Sequence, residues 1–262
     1  MTDSPDTDGI DGALRAALTD FAALPVVVAA SDFDGCVAPL VDDPAQSAPD
    51  PRSMAALTAL AQAPDTTAAL ISGRARGVLS ELSGARPPLV LVGSHGAEFE
   101  SGFDDALTPE KTALLNQLVA ELQAISARRP GTLVETKPAS TTLHVRNASE
   151  ADGEAALAEA LAGPAAREGV QVTHGKAVIE LAVIETSKGR ALDVLRRSAQ
   201  AQAVLYLGDD VTDEKAFAHL RGPAAGGRDI GIKVGPGETA ADFRVPDTNA
   251  VAAVLELLAG LR

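Results

Sequence analysis

The chain has 262 residues, of which 46% are hydrophobic and 22% charged, with a net charge of −14, as in a globular protein of one or two domains. The acidic balance argues against nucleic-acid binding, which depends on Lys and Arg, and the single cysteine, Cys36, excludes an internal disulfide and a Cys-based zinc site. No apolar run reaches the roughly 20 residues of a membrane span, and residues 1–12 lack the basic and apolar regions of a signal peptide, so we expect a cytoplasmic protein that does not bind membranes.

The first hundred residues alternate between helical patterns and short apolar runs. Residues 1–12 are expected to be flexible, and a short amphipathic helix follows them. Asp50 and Pro51 form a helix start, with Asp as the N-cap and Pro at the first helical position. Such alternation is typical of a parallel sheet covered by helices on both faces. The elements predicted here are helices at 13–23, 51–61 and 74–82 and strands at 26–30, 67–71 and 89–92.

The pattern changes near residue 104, where each helix is followed by a pair of strands. The order αββαββ is typical of antiparallel pairs with helices on one face, so we predict a separate α+β domain at 104–183. Its predicted elements are helices at 109–127 and 150–167 and strands at 132–137, 141–146, 170–174 and 177–183.

The alternating pattern returns from Thr186 onward. The predicted elements are a helix ending near residue 200, a strand at 203–207, a short helix, a strand at 229–234 and a last helix at 250–261. The predicted fold class is therefore α/β, with a Rossmann-like, doubly wound parallel-sheet core formed by 13–103 and 184–262. The α+β domain at 104–183 is inserted into this core.

Two carboxylates follow the first apolar strand. Asp32 and Asp34 are two positions apart, so both leave the strand on the same side, and Gly35 allows a sharp turn after them. Ligands of open α/β sheets bind at the carboxyl ends of strands, and two adjacent carboxylates are stabilised when a cation shares them. Taken alone, the pair is also compatible with a solvated surface turn.

Three further groups of polar residues follow strands or open helices, so we expect all four groups at one edge of the sheet. These three groups are Ser72 with Arg74, Ser187 with Lys188, and Asp209 with Asp210 and Asp213. Carboxylates, a hydroxyl and an ammonium at one sheet edge fit phosphoryl transfer assisted by Mg²⁺. The sequence therefore predicts a phosphoryl-transfer site with Mg²⁺ as its cofactor.

The chemistry assigns a role to each group. Asp32 attacks phosphorus to give an aspartyl-phosphate, and Asp34 acts as general acid and then as general base. Ser72 donates a hydrogen bond to a phosphoryl oxygen, and Lys188 supplies positive charge. The groups expected to bind Mg²⁺ are the carboxylates of Asp32 and Asp209, the main-chain carbonyl of Asp34 and, through water, Asp213.

These motifs, taken in order, resemble those of the haloacid-dehalogenase superfamily. The segments that carry the resemblance are Asp32-Phe-Asp34-Gly35, Ser72-Gly73-Arg74, Lys188 and Gly208-Asp209-Asp210-Val-Thr-Asp213. The inserted domain resembles the type C2B cap of that superfamily, which implies closure over the core. The resemblance covers residues 26–256 and implies phosphate binding by Ser72, Gly73, Arg74 and Lys188.

Shorter segments resemble the trehalose-6-phosphate phosphatases within that superfamily. These segments are Gly93–Glu98, the strand around Lys137, His144-Val-Arg146 and Gly175–Leu181. The resemblance implies a phosphatase of trehalose biosynthesis that hydrolyses a small sugar phosphate, trehalose 6-phosphate, and we expect it to be a monomer. It also implies substrate contacts from His95, Lys137, His144, Arg146, Lys176 and Glu180. Each of these six residues is also compatible with an ordinary structural or surface role, and Glu180 is the favoured sugar contact of the inserted domain.

One position departs from the superfamily pattern, and two other functions stay open. Cys36 stands where the superfamily most often has Thr, and we expect a packed side chain that tunes activity and is not a nucleophile. The first alternative is a phosphatase for another sugar phosphate or a glycosyl-glycerate phosphate. The second is a non-catalytic sugar-phosphate sensor. A dehalogenase is disfavoured, because that chemistry needs no Mg²⁺ cluster at Asp209.

Overall fold

The computed structural model describes residues 9–103, 107–175, 177–184, 187–222 and 227–262. The chain divides into two compact units, one formed by 1–100 with 187–262 and the other by 101–186. We call them the core unit and the inserted unit. Of the segment predicted to be flexible, residues 1–8 lie outside the described residues, whereas Ile10 is buried and Asp11 caps the first helix.

The core unit is built on a sheet of six strands, all parallel. Their order is β12-β11-β10-β1-β2-β3. The central strand β1 is buried along its whole length, as its run of Val and Ala residues requires. The bounds are Val27–Ser31 for β1, Thr66–Ile71 for β2, Val90–Val92 for β3, Ala203–Gly208 for β10, Ile230–Val234 for β11 and Phe243–Val245 for β12.

Helices cover both faces of this sheet, which confirms the predicted doubly wound core. Alternate residues of β1 belong to two separate apolar clusters: Val27 packs with one group of helices, and Val28 with another. The first cluster contains residues of α1 (Gly12–Ala22), α2 (Pro51–Gln62), α3 (Arg76–Ser83) and α8 (Thr248–Leu261). The second contains residues of α6 (Lys188–Ala199) and α7 (Val211–Phe217).

The inserted unit has the predicted αββαββ order and forms a four-stranded antiparallel sheet, β6-β7-β9-β8. Leu143 and Ile179 of the two central strands pack with Leu118 and Ala156 of the helices in one apolar cluster. The bounds are Pro109–Ser126 for α4, Leu133–Thr136 for β6, Ser140–His144 for β7, Glu150–Ala162 for α5, Gln171–Gly175 for β8 and Val178–Ala182 for β9. Three short strands were not predicted: β4 (Glu98–Phe99), β5 (Gly102–Phe103) and β12 of the core unit.

Most predicted boundaries lie within one or two residues of the observed ones, and three of the differences bear on the argument. Helix α3 begins at Arg76 and not at Arg74, because the Arg74 carbonyl accepts a hydrogen bond from the Ser94 amide outside any helix. Helix α5 stops at Ala162, and a short 3₁₀ turn begins at Pro164, which cannot donate to a continuing helix. Strand β7 ends at His144, so Arg146 lies beyond it. None of the helices in the described ranges has the length and apolarity of a membrane span.

Candidate active site

A buried ion cluster lies at the carboxyl end of β1. Asp32 follows the last residue of this strand and is 5% exposed. One of its oxygens, Oδ1, accepts a hydrogen bond from the Phe33 amide at 2.7 Å, and Oδ2 lies 2.7 Å from Nζ of Lys188. Lys188 is the first residue of α6, and its ammonium lies 2.8 Å from Oδ1 of Asp213. Lys188 therefore bridges two carboxylates, one at the end of β1 and the other in the first turn of the helix 211–217.

Asp213 organises this cluster, and its two carboxylate oxygens accept four hydrogen bonds within the fold. It is fully buried near the start of α7, where its side chain and that of Asp210 form a capping box. Its Oδ1 accepts from Lys188 and from the Tyr206 hydroxyl at 2.6 Å. Its Oδ2 accepts from the amides of Asp209 at 2.9 Å and Asp210 at 3.0 Å. A buried carboxylate that accepts four hydrogen bonds restrains the groups that donate them.

The cluster carries more negative than positive charge. Burial raises the pKa of Asp32, Asp213 adds to this, and Lys188 opposes it. Burial works to lower the pKa of Lys188, but Asp32 and Asp213 outweigh it, so the pKa lies above its usual value and the ammonium stays charged. Burial, with Asp213 and Asp210 nearby, raises the pKa of Asp209 to about 6.

This surplus of carboxylates fits a bound cation. Asp32, Asp209 and Asp213 each offer a carboxylate oxygen, and these three atoms lie within 4.8 Å of one another. Oxygen donors without His or Cys suit a hard divalent ion. Gly35 permits this approach, because its φ is +82° and a Cβ there would collide with the Asp209 carboxylate. The residues present therefore fit a divalent metal ion.

Asp34 points to a different partner from Asp32. Its oxygens accept two hydrogen bonds from the Arg74 guanidinium, at 2.6 and 2.7 Å, and one from the Ser47 hydroxyl at 2.9 Å. The Asp34 side chain is 30% exposed, against 7% for that of Asp32. The two acids of motif one therefore differ: one is buried in the ion cluster, and the other is held by Arg74 in contact with solvent. The Asp34 carboxylate does not belong to the acidic triad.

The second motif forms a tight turn after β2. Ser72 is buried, its amide donates to the Val92 carbonyl at 2.9 Å, and its hydroxyl accepts from the Arg74 amide at 3.2 Å. The ring of His95 lies against Gly73, where a Cβ would come within 2.5 Å of the ring. His95 adopts a φ of +52° and its amide donates to the Ser72 carbonyl at 2.9 Å. The structure therefore brings His95 to motif two, within the core unit.

A carboxylate that the sequence reasoning did not single out holds this turn together. The Glu98 side chain accepts from the Arg76 amide at 2.8 Å and from the Ser94 hydroxyl at 3.1 Å. It thus joins the start of α3 to the segment after β3. Because Glu98 is far from Arg76 in sequence and carries no motif of its own, only its place in Gly93–Glu98 could have indicated this role.

Several of the predicted sugar-binding residues lie together on one face of the inserted unit. Glu180 accepts from Lys137 Nζ at 3.1 Å and from the Ser140 hydroxyl at 2.7 Å. His144 lies on the same face, since Thr142 pairs with Glu180 and is two residues before it. Nε2 of His144 is 2.9 Å from a carboxylate oxygen of Glu135, which sequence reasoning missed. Alternation of Glu135 with Lys137 was the available signal.

The structure places neither of the remaining two predicted sugar-binding residues on this face. Arg146 lies two residues beyond the end of β7 and is exposed. Lys176 lies outside the described residues.

The side chain of Cys36 is fully buried, and burial together with nearby Asp32 raises the pKa of its thiol well above the usual value. A buried, protonated thiol fits the predicted packed role.

Comparison with known proteins identifies the family to which these motifs belong. The family model for trehalose-phosphatase matches residues 30–249, a range that holds all four motifs, the whole inserted unit and most of the core unit. The chain belongs to the trehalose-phosphatase family. This confirms the resemblance to the trehalose-6-phosphate phosphatases that was drawn from the shorter segments.

Individual relatives agree with this trehalose-phosphatase assignment. The bifunctional trehalose-6-phosphate synthase/phosphatase of Thermoproteus tenax is 32% identical over 245 residues, covering 92% of this chain and 33% of that protein. The trehalose-phosphate phosphatase of Mycobacterium marinum is 38% identical over 198 residues, covering 71% of this chain and 49% of that protein. The chain thus spans a third to a half of the length of these two relatives.

A solved structure shows the same fold. The C-terminal domain of C. albicans trehalose-6-phosphate phosphatase superposes with a TM-score of 0.78 at 23% identity, covering 95% of this chain and 97% of that chain. The parallel core and the antiparallel inserted unit are thus both part of a known trehalose-phosphatase architecture.

Proposed function

We propose that this chain is a Mg²⁺-dependent phosphatase that hydrolyses trehalose 6-phosphate to trehalose and phosphate. The observation that carries the proposal is the buried arrangement of Asp32, Lys188 and Asp213 beside Asp209, in a chain that belongs to the trehalose-phosphatase family. This arrangement supports a role for Asp32 as a nucleophile next to the ammonium group of Lys188, which Asp213 holds in place. The names of the relatives support the choice of trehalose 6-phosphate.

Asp32 is the proposed nucleophile. A carboxylate oxygen of Asp32 forms a bond to phosphorus while the bond from phosphorus to the sugar oxygen breaks, and an aspartyl-phosphate results. Lys188 lies 2.7 Å from Asp32 and remains charged, so it offsets the negative charge of the transferring group. Ser72 and the amide of Gly73, at the neighbouring strand end, are proposed to donate hydrogen bonds to phosphoryl oxygens.

Asp34 is the proposed acid and base. It gives its proton to the leaving sugar oxygen, then takes a proton from the water that attacks the aspartyl-phosphate. Because both of its oxygens are bound to Arg74, this role requires the guanidinium to release them. We propose that Arg74 exchanges Asp34 for phosphoryl oxygens, since a guanidinium forms the same two-pronged bond with either group.

The metal site is proposed to use the groups that the fold already gathers. Asp32, Asp209 and the Asp34 carbonyl would hold Mg²⁺, which supplies positive charge to the phosphoryl oxygens when bound. Asp213 belongs to the same acidic triad, but its four hydrogen bonds favour an action through Lys188 and the Asp209 main chain, with any contact to the ion made through water.

The inserted unit is proposed to bind the sugar part of the substrate. Glu180 and Lys137 are paired and about one-eighth exposed, so they offer an acceptor and donors held in fixed positions for sugar hydroxyls. His144 lies on the same face, and His95, Arg146 and Lys176 complete the proposed set. We also propose a cytoplasmic location and a monomeric state, both of which stay predictions.

The test is phosphate release from a panel of sugar phosphates, measured with Mg²⁺ and with EDTA. We expect strong release from trehalose 6-phosphate, lost in EDTA and lost in the Asp32→Asn variant, which should remain folded by circular dichroism. Faster release from a glycosyl-glycerate phosphate or another ester than from trehalose 6-phosphate would support the same mechanism with a different substrate. Activity retained by Asp32→Asn would refute the mechanism, and no release from any ester would favour the sensor.

A further inference from the structure

Lys233 is a buried cation that the reaction described above does not use. It lies on β11, is 4% exposed, and its Cα is paired with that of Gly208 at the end of β10. In the described part of the chain, no carboxylate oxygen lies within 4.0 Å of its ammonium. Burial of an ammonium group without an ion pair is strongly unfavourable. Such a residue is retained where its charge or its hydrogen bonds serve a purpose.

The hydrogen bonds of Lys233 lead directly to motif four. Its ammonium donates to the main-chain carbonyl of Asp209, and also to that of Val234 at 3.2 Å. The amide of the same Asp209 donates to Asp213 at 2.9 Å. Both polar main-chain groups of Asp209 are therefore held by buried, charged side chains, Asp213 on one side and Lys233 on the other. This fixes the direction in which the Asp209 side chain leaves the backbone.

The fixed direction matters because Asp209 has little room. Its carboxylate packs against Gly35, where no Cβ could be accommodated, and it reaches the triad with Asp32. A small rotation of the Asp209 main chain would move the carboxylate away from Asp32 or into the motif-one turn. The positive charge of Lys233 also lowers the pKa of Asp209, against the raising effect of burial.

We propose that Lys233 is a positioning residue, which holds the Asp209 carbonyl and so aims the Asp209 carboxylate at the bound cation. This inference rests on the proposed function, because it assumes the Mg²⁺ site. Lys233 itself touches neither substrate nor metal in this scheme. It acts through one peptide group of the loop between β10 and α7.

The two ways in which Lys233 could affect the metal have opposite signs. A positive charge near the site repels a cation, so a residue that acted by charge alone would weaken Mg²⁺ binding, and its neutral variant would bind more tightly. A residue that positions Asp209 strengthens binding, and its neutral variant would bind more weakly. The sign of the change in Kd therefore separates positioning from charge.

The experiment is a calorimetric titration of the full chain with Mg²⁺, without substrate. We compare the wild type with Lys233→Met, which keeps the length of the side chain, and with Lys215→Met, an exposed lysine on α7 as the matched control. The expected result is a Kd raised about tenfold or more in Lys233→Met and unchanged in Lys215→Met. In turnover of trehalose 6-phosphate, the Mg²⁺ concentration for half-maximal kcat should rise equally, with KM at saturating Mg²⁺ unchanged.

Each other outcome decides against the proposal. An unchanged Kd with a lower Tm would show that Lys233 is only structural, and a lower Kd would show that it acts by charge. If Lys233→Met does not fold, Lys233→Gln provides the second neutral variant, for which a raised Kd supports positioning and an unchanged or lower Kd overturns it. A wild type that binds no Mg²⁺ would overturn the proposed metal site, and this inference with it.

Discussion

Replacement of Tyr206 with Phe removes one hydrogen bond from the buried ion cluster and little else. The Tyr206 ring is fully buried on β10, 5.8 Å from the ring of Phe217, and a Phe at this position keeps that packing. Burial and the neighbouring Asp213 raise the pKa of the Tyr206 hydroxyl, so it remains a donor at neutral pH. What the substitution deletes is the 2.6 Å bond to Asp213.

The expected magnitude follows from the charge of the acceptor. A buried hydrogen bond to an ionised group contributes about 1.5–3 kcal/mol to the free energy of unfolding, which corresponds to a drop in Tm of about 3–12 °C for a chain of this size. In Tyr206→Phe, Oδ1 of Asp213 accepts a hydrogen bond from Lys188 only, and it attracts the Lys188 ammonium more strongly. We therefore also expect kcat to fall while KM is unchanged, because Lys188 would be drawn away from Asp32.

The assay is thermal unfolding followed by circular dichroism, with phosphate release measured on the same samples. Ser53→Ala is the matched control, because among the described residues Ser53 is a fully buried hydroxyl whose oxygen has no hydrogen-bond partner. Its loss removes a buried hydroxyl that makes no hydrogen bond, so the free energy of unfolding should stay unchanged or rise. If Tyr206→Phe behaves like Ser53→Ala in both stability and kcat, the four-donor description of Asp213 is wrong.

Two further substitutions test the geometry of motifs one and two. Gly35→Ala places a methyl group where the Asp209 carboxylate now lies, at a positive φ, so we expect loss of Mg²⁺ binding by calorimetry and loss of phosphate release. Arg74→Lys replaces a two-pronged bond to Asp34 with a single contact, so we expect kcat/KM in the release assay to fall about tenfold or more.

Both substitutions have matched controls in the chain. Gly77→Ala adds the same methyl group in α3, where no atom lies within 4 Å, and should leave Mg²⁺ binding intact. Arg52→Lys alters an exposed two-pronged pair with Glu256, and should leave kcat/KM unchanged. Mg²⁺ binding retained by Gly35→Ala would contradict the packing of Asp209 on motif one. Unchanged kcat/KM in Arg74→Lys would contradict a catalytic need for the Arg74 fork.

The sequence was sufficient to predict which strand ends meet, because topology brings them together. The carboxyl ends of parallel strands share an edge, so Asp32 after β1 and Asp209 after β10 had to be neighbours once the sheet was recognised. The positions of β1 and β10 were also predictable, because each is an apolar run that is followed by a glycine. The three-residue strand β12 was missed because Phe243–Val245 is too short to show a period.

Individual pairings could not be predicted, because they depend on side-chain directions that no spacing reports. Phosphate binding by Arg74 stays a prediction, but no spacing indicated that its guanidinium pairs with Asp34, 40 positions away in sequence. Tyr206 and Lys233 were hidden inside apolar strands, where a single polar tip does not alter the pattern. A lysine within the run Ile230–Val234 was the one visible signal, since Lys is rarely buried without a purpose.

Asp213 belongs both to the ion cluster and to the capping box of α7, and this dual membership couples folding to chemistry. The amides of Asp209 and Asp210 are sequestered by the same carboxylate that restrains Lys188. When the first turn of α7 frays, those two amides and the Lys188 ammonium are released in the same event. Hydrogen exchange at the amides of Asp209 and Asp210 thus reports whether the ion cluster is assembled, even without bound substrate.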